Sequence, residues 1–392
     1  MNPDLEELRT VHRAALEWSR TVALPLWGGV GFDASTGHFE EQLDFDRKVV
    51  TTVPRRAMVQ ARQIVVFASA ALDGWYPAGA DLARFACDRL IERFWAADGK
   101  PGFVFSLARD GSVADGRRDL YAHAFILFAL AWRHRLGASE DVDKAIEQTL
   151  TFVTEAFAAA DGEGYVCTLP RPDALRRQNP HMHLFEAAVE LLEATGSDSA
   201  RTLAASIRAL AIRRFIRPDT GALLEYFTDD WRVDEHRNAP ERAEPGHQME
   251  WAWLLRRHEA IAGLPDDGQA AKLIAFALRA GIDRGTGRVI DEVDGSGAPT
   301  KISSRSWPHT ETVKAMAREI IATGVDAELP LLIAVYRRLM TAYCVPTLKG
   351  GWIDQRDATD APASKIMPAS TLYHVHLAIR EVDLLLNKAD LG

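Results

Sequence analysis

The chain has 392 residues, 47% of them hydrophobic and 26% charged, enough to bury a large core. Its 46 Lys and Arg against 55 Asp and Glu give a net charge of -9, so no basic stripe is available to displace counterions from nucleic acid. Cys87, Cys167 and Cys344 are too scattered for a disulfide framework or zinc knuckle. The longest apolar stretch, Ala124 to Trp132, is too short to span a bilayer, and the acidic start MNPDLEELRT is no secretory signal. The expectation is a cytoplasmic globular protein that engages neither membrane nor nucleic acid.

Apolar residues spaced i, i+3, i+4 and i+7 predict about twelve helices. In chain order they cover Asp4–Ser19, Arg56–Leu72, Asp81–Trp95, Leu120–Arg135, Asp141–Phe157 and His181–Thr195. Ser199–Phe215, His247–Ala262, Gln269–Gly281, Trp307–Thr323, Ala327–Tyr343 and Thr371–Asn387 follow. Between helix pairs lie short segments that resemble one another: GGVGFDASTG, GFVFSLARDG, GYVCTLP, GALLEYFTDD, GRVIDEVDGSG and GGWIDQRDATD. Each is a glycine, a few β-favouring residues and polar turn residues, as a small hairpin requires. With Phe32, Phe103, Tyr165, Leu224, Val289 and Trp352 as markers, the unit recurs about every sixty residues, about six times.

Six such units can stack as an open solenoid or close into a toroid. Closure aims the first turns of all inner helices at one cavity, and those turns carry polar and aromatic residues in phase. They hold Arg56, Tyr121, Asn179 with His183 and Glu186, His247 with Glu250, Trp307 with Glu311, and Tyr373 with His374. His183 with Glu186, His247 with Glu250, and Trp307 with Glu311 are three or four apart, so each of these pairs shares a helix face. The expected fold is therefore an all-α (α/α)6 barrel with short β-hairpins between helix pairs, one catalytic domain over residues 1–392.

No HExxH, CxxC or GxGxxG occurs. His181 with His183 and His374 with His376 are two apart, and on a helix such positions point about 200° apart. Neither a metal nor another cofactor is expected. Lys301, Arg305, Arg176 and Arg177 could hold a sugar phosphate, although a solvated charged surface is the simpler account. Aromatic faces with polar groups suit sugar rings, and histidines suit proton transfer at a carbon beside a carbonyl. That combination points to a carbohydrate isomerase or epimerase working through an enediol on a monosaccharide.

The segments RAMVQARQ (56–63), DLYAHAF (119–125), NPHMHLFEA (179–187), EPGHQMEW (244–251), WPHTE (307–311), GGWIDQ (350–355) and ASTLYH (369–374) resemble the N-acylglucosamine 2-epimerase superfamily. The resemblance runs from about residue 20 to about residue 385. It implies an (α/α)6 barrel and metal-independent chemistry by two histidines, His247 and His374 by motif position. It also brings Arg56, Tyr121, Asn179, His183, Arg237, Glu250 and Trp307 to the sugar. Arg237, in a loop before His247, enters on the resemblance alone, and Glu311 joins as a substrate-site residue through its helix face.

Within the superfamily the MPASTLYH ending looks most like the bacterial mannose isomerases and their mannose 6-phosphate relatives. RSWPHTE stands where the cellobiose branch carries a Trp-rich stretch. The implied reaction converts D-mannose to D-fructose through a cis-enediol, with D-lyxose as a side substrate. His374 would remove the C2 proton, His247 would serve O5, O1 and C1, and Glu250 would orient His247; the histidine roles are exchangeable at this level. Three alternatives stay open: a 2-epimerase of N-acylglucosamine or mannose, a glycosidase using Glu250 and Glu311, and a helical scaffold. The amphipathic outer helices also leave room for a homodimer.

Overall fold

A computed structural model describes residues 3–234 and 241–391. The first helices are α1 (Pro3–Trp18), α2 (Leu24–Gly29), α3 (Ala57–Leu72), α4 (Gly79–Phe94), α5 (Leu120–Arg135) and α6 (Glu140–Ala156). They continue as α7 (Gln178–Thr195), α8 (Asp198–Leu210), α9 (Pro245–Ala262), α10 (Gln269–Ala280), α11 (Ser306–Thr323), α12 (Leu329–Arg338) and α13 (Ser370–Leu391).

Alternate helices differ in how apolar they are, and that difference places them. In α3 every residue from Ala57 to Ala70 is buried, and in α9 every residue from Pro245 to Glu259. In α4 only a stripe is covered, including Ala83, Ala86, Cys87, Leu90 and Phe94, as expected of a helix with one wet face. The fully buried helices form the inner ring: α3 packs on α5, α5 on α7, α7 on α9, α9 on α11, α11 on α13, and α13 back on α3. Outside it, α4, α6, α8, α10 and α12 each cover the inner helix that precedes them, while α1 covers α12 and α13. The result is a closed (α/α)6 barrel.

Short strands lie between the helix pairs. The two or three residues entering each inner helix pair antiparallel with the loop of the next unit. Arg55–Arg56 pairs with Ser106–Leu107, Arg118–Asp119 with Thr168–Leu169, and Arg176–Arg177 with Tyr226–Phe227. Arg242–Ala243 pairs with Glu292–Asp294, Ser304–Arg305 with Gln355–Arg356, and Ile366–Pro368 with Gln42–Asp44, which closes this outer circuit as well.

The fourth residue of five inner helices holds a loop residue by its backbone. Gln60 accepts from Phe39 N–H at 2.8 Å and donates to Phe39 C=O at 2.9 Å, and Gln248 grips Leu223 in the same way. His123, His181 and His309 accept through Nε2 from the N–H groups of Phe103, Tyr165 and Val289 at 3.0–3.1 Å. Their Nδ1–H groups donate to the carbonyls of Asp119, Arg177 and Arg305 at 2.8 Å, which fixes one tautomer. These side chains satisfy buried backbone donors that would otherwise be orphaned.

Three boundaries differ from the periodicity. The chain stays helical beyond Ser19, through a π-turn over Ser19–Ala23 into α2. The helices α7 and α9 begin before His181 and His247, with Pro180 and Pro245 inside their first turns, where a missing N–H costs nothing. At the other end α7, α9 and α11 stop at Gly196, Gly263 and Gly324, each in the left-handed conformation that favours glycine. Among the described residues no helix is long and apolar enough to cross a membrane.

Candidate functional site

The N-terminal ends of the inner helices surround a cavity of about 270 Å³. Tyr121, Asn179, His183, His247, Glu250, Trp307 and His374 all line it, drawn from α5, α7, α9, α11 and α13. Tyr121, Asn179 and Trp307 are each the second residue of their helix, and His183 and Glu250 each the sixth. The second residue of α9 is Gly246, and its bareness has a purpose. A Cβ there would lie 2.5 Å from the Trp307 ring, so only glycine lets the indole settle against His247. Trp307 stands between His247 and His374, its ring centroid 4.9 Å from that of His247 and 6.0 Å from that of His374.

The two histidines sit in opposite electrostatic surroundings. His247 donates from Nδ1 to Glu225 Oε1 at 2.8 Å, with Glu244 Oε2 at 4.0 Å. Burial disfavours its cation, but Glu225 and Glu244 outweigh burial and raise the imidazole to about 9. His374 donates from Nδ1 to Glu311 Oε1 at 2.7 Å. Burial drives its value well below that of free imidazole, and the cations Arg62 and Lys314 add to the effect. At neutral pH His247 is therefore an imidazolium and His374 a neutral imidazole. His374 keeps Nε2 free of protons, since Glu311 holds the hydrogen on Nδ1.

Behind this pair lies a buried network. Glu311 reaches Lys314 Nζ at 2.5 Å, and the ammonium lies 3.8 Å from the Trp253 ring centroid. Glu186 accepts from His183 Nδ1 at 2.9 Å and from the Tyr373 hydroxyl. Glu250 has a different environment: burial and then Glu311 push its carboxyl well above the usual range, so it is a neutral acid. Its Oε1 and the Oδ1 of Asn179 are buried without a partner, two polar atoms available to ligand hydroxyls.

Several expectations shift. Glu225, not Glu250, orients His247. The signal for it was present: a carboxylate embedded in the apolar run Leu223-Leu224-Glu225-Tyr226-Phe227 of a loop, where helix phase does not apply. Arg56 does not line the cavity, because its guanidinium turns to Glu41, which also accepts from the Arg56 N–H at 3.1 Å. Arg62, in the second turn of α3, does line the cavity and donates to the Tyr121 hydroxyl at 2.6 Å. Glu311 stands behind His374 rather than on the wall. Arg237 lies outside the described residues.

Of the cations considered for a phosphate, Arg176 is held by Asp161 and Asp229, Arg177 by Asp173 and Lys301 by Glu292, all away from the cavity. Arg305 does line it, but is bound by Glu244 and Asp291.

The paired histidines diverge as helix geometry requires. His181 clamps Tyr165 and His376 meets Ser69 Oγ at 2.9 Å, while His183 and His374 face the cavity. Around the cavity three groups do gather ligand atoms within 4.8 Å: His183, Glu186 and Glu250; Glu225, Glu244 and His247; Glu250, Glu311 and His374; a fourth, Glu259, Asp266 and Asp267, is not part of its lining. The Lys314 ammonium on Glu311 and the Tyr373 hydroxyl on Glu186 already engage two of these carboxylates, which suits proton traffic better than a divalent ion.

The sequence profile described as N-acylglucosamine 2-epimerase matches residues 37–378. A protein named mannose-6-phosphate isomerase from Rhizobium meliloti (strain 1021) is 32% identical over 93% of this chain and 95% of its own. One named D-mannose isomerase from Thermobifida fusca is 30% identical over 71% of this chain and 72% of its own. Among solved structures, a D-mannose isomerase superposes with a TM-score of 0.83 at 22% identity, covering 96% of this chain and 97% of that one. The cellobiose 2-epimerase of Spirochaeta thermophila DSM 6192 gives a TM-score of 0.86 at 20% identity, covering 99% and 100%.

Proposed function

Because this chain belongs to the N-acylglucosamine 2-epimerase family and is a sugar isomerase or epimerase, we propose that it interconverts D-mannose and D-fructose in a single catalytic barrel. The observation that carries the reading is the opposed protonation of two histidines on either side of Trp307. Neighbouring groups whose surroundings drive their values apart form an acid and base pair.

His374 Nε2, neutral and unprotonated, removes the proton from C2 of the open-chain aldose. His247, an imidazolium, gives a proton to the carbonyl oxygen at C1, and a cis-enediol results. The hydroxyl at C2 then loses its proton to His247 as His374 returns the carried proton to C1, which leaves a ketose. Ring opening uses the same cation, which protonates O5 and takes the proton of the O1 hydroxyl, so that His247 is an imidazolium again when the C1 carbonyl has formed. Glu225 and Glu244 hold the charge of His247, and Lys314 behind Glu311 keeps His374 from taking a resident proton. Trp307 walls one face of the sugar, while Glu250 Oε1 and Asn179 meet hydroxyls.

A free sugar is favoured over a phosphorylated one because Glu244 and Asp354 line the cavity and Arg305 is already engaged by carboxylates. Mannose 6-phosphate is the second reading. It rests on the relative so named and on Arg62, whose partners are the Tyr121 hydroxyl and the Ser370 carbonyl rather than an acid. A glycosidase is disfavoured, since Glu311 is sequestered between Lys314 and His374 and cannot flank a glycosidic bond.

Incubation with D-mannose, or separately with mannose 6-phosphate, in D2O tests the proposal by NMR. D-fructose from the free sugar, with solvent deuterium confined to C1, is expected. Formation of an epimeric aldose alone would replace the isomerase with a 2-epimerase, and turnover of the phosphate ester alone would reverse the choice of substrate.

A further inference from the structure

A second pocket of about 260 Å³ lies outside the inner ring, between α4 and the loops around residues 35–38 and 107–111. Four guanidinium groups line it, from Arg55, Arg89, Arg93 and Arg109, whereas Asp110 is its only lining carboxylate. Arg55 and Arg109 are anchored from behind. Arg55 is held by Asp33 at 2.8 Å and Glu40 at 3.1 Å, and Arg109 grips Glu40 with two bonds of 2.7 and 2.8 Å. Arg89 and Arg93 are less committed. Arg89 meets only the exposed Glu92 among carboxylates, and Arg93 makes no ion pair among the described residues. They are one turn apart on the same face of α4, a like-charge spacing that costs helix stability unless something negative lies between them.

The decisive group is His38. It is 7% exposed, it lines the pocket, and neither of its ring nitrogens has a hydrogen-bond partner. A buried imidazole with both nitrogens unsatisfied is rare, because each lost bond carries the full cost of desolvation. The contrast with His123, His181 and His309 is direct: those use both nitrogens on backbone groups. Burial and the field of Arg55, Arg93 and Arg89 lower His38 to about 4, so its imidazole is neutral.

We infer that this pocket is a binding site for a phosphoryl group, either inorganic phosphate or a phosphate monoester. Arg93, with no ion pair among the described residues, and Arg89, held only by the exposed Glu92, would take its charge, and a His38 N–H would bond one oxygen. A tetrahedral dianion can be approached from several directions at once, which suits guanidinium groups from a helix and two loops better than a planar monoanion does. The volume leaves room for a small organic group on the ester. The inference does not depend on which sugar the central cavity turns over. The site is nonetheless wired to that cavity's rim, since Glu41, next to Glu40, accepts through its carbonyl from Ala369 N–H just before α13.

Titration of the protein with inorganic phosphate at constant ionic strength, followed by calorimetry and by the histidine ring resonances, tests it. Saturable binding that shifts the His38 resonances is expected, and Arg89→Gln with Arg93→Gln should weaken it by about tenfold or more. Both arginines are solvent-accessible on α4, and thermal melting checks that the double variant folds. His374→Asn should leave phosphate binding unchanged. The inference is overturned if phosphate does not saturate, or if the double variant binds it equally well. Loss of binding only when the central cavity is altered would likewise overturn it, by showing that phosphate sits there.

Discussion

His247 and Glu225 meet at 2.8 Å although one stands on an inner helix and the other in the loop that precedes it. The contact has two effects: it fixes the ring, and with Glu244 it keeps the imidazole charged to about pH 9. Glu225→Gln should remove most of that bias while conserving shape. The alkaline limb of kcat against pH should move to lower pH, and kcat near neutrality should fall by about a hundredfold. An unchanged alkaline limb would remove His247 from the role of acid.

The same ion pair bears on stability. Folding raises His247 above its unfolded value of 6.5, so the folded state binds the additional proton. Its contribution is fully present below about pH 6.5 and is lost as pH rises through about 9. Urea midpoints measured from pH 6 to pH 10 should show a loss that is absent from His247→Gln. A parallel decline in both proteins would place the loss elsewhere.

His374 is set up by a neighbour it shares with Lys314. His374→Asn should reduce deuterium incorporation from solvent by about a thousandfold or more. Glu311→Gln leaves His374 free to take the other tautomer and should lower kcat with little effect on KM. A rise in KM with normal kcat would mean that Glu311 supports binding rather than the base.

The clamping histidines should behave in the opposite way. His123→Leu, His181→Leu or His309→Leu strands a buried backbone N–H and should cost about 1–3 kcal/mol of stability. Residual folded protein should keep its kcat, because none of the three lines the cavity. Denaturant unfolding alongside steady-state kinetics separates the two outcomes.

Chelation discriminates between proton transfer by side chains and a metal held by the carboxylate clusters. Full activity after prolonged EDTA treatment is expected, since Lys314 and Tyr373 already occupy the carboxylates of two clusters. Activity lost to EDTA and restored by one divalent cation would overturn the metal-free mechanism.

The barrel was legible because its information is periodic. Six Gly-led segments and alternating helix character suffice for closure, and in-phase first-turn residues locate the mouth that Tyr121, Asn179, His183, His247, Glu250, Trp307 and His374 line. What escaped is what phase cannot encode. Glu225 comes from a loop, and its reach depends on strand pairing between successive units. Arg56 and Arg62 lie on one short stretch, and only the competing pull of Glu41 decides which of them faces the sugar. The sign of each histidine's shift is equally collective, set by Glu225 and Glu244 in one case and by burial, Arg62 and Lys314 in the other.

The contact between α13 and α3 joins segments more than three hundred residues apart, and the site straddles that seam: Arg62 of α3 bonds the Ser370 carbonyl at the start of α13. A chain emerging from the ribosome would carry His247, Trp307 and Glu311 well before it carried His374. Turnover would begin only when the last helix locked against the first inner one. The seam is thus a timing device, and appearance of activity during refolding would be a direct clock for closure of the ring.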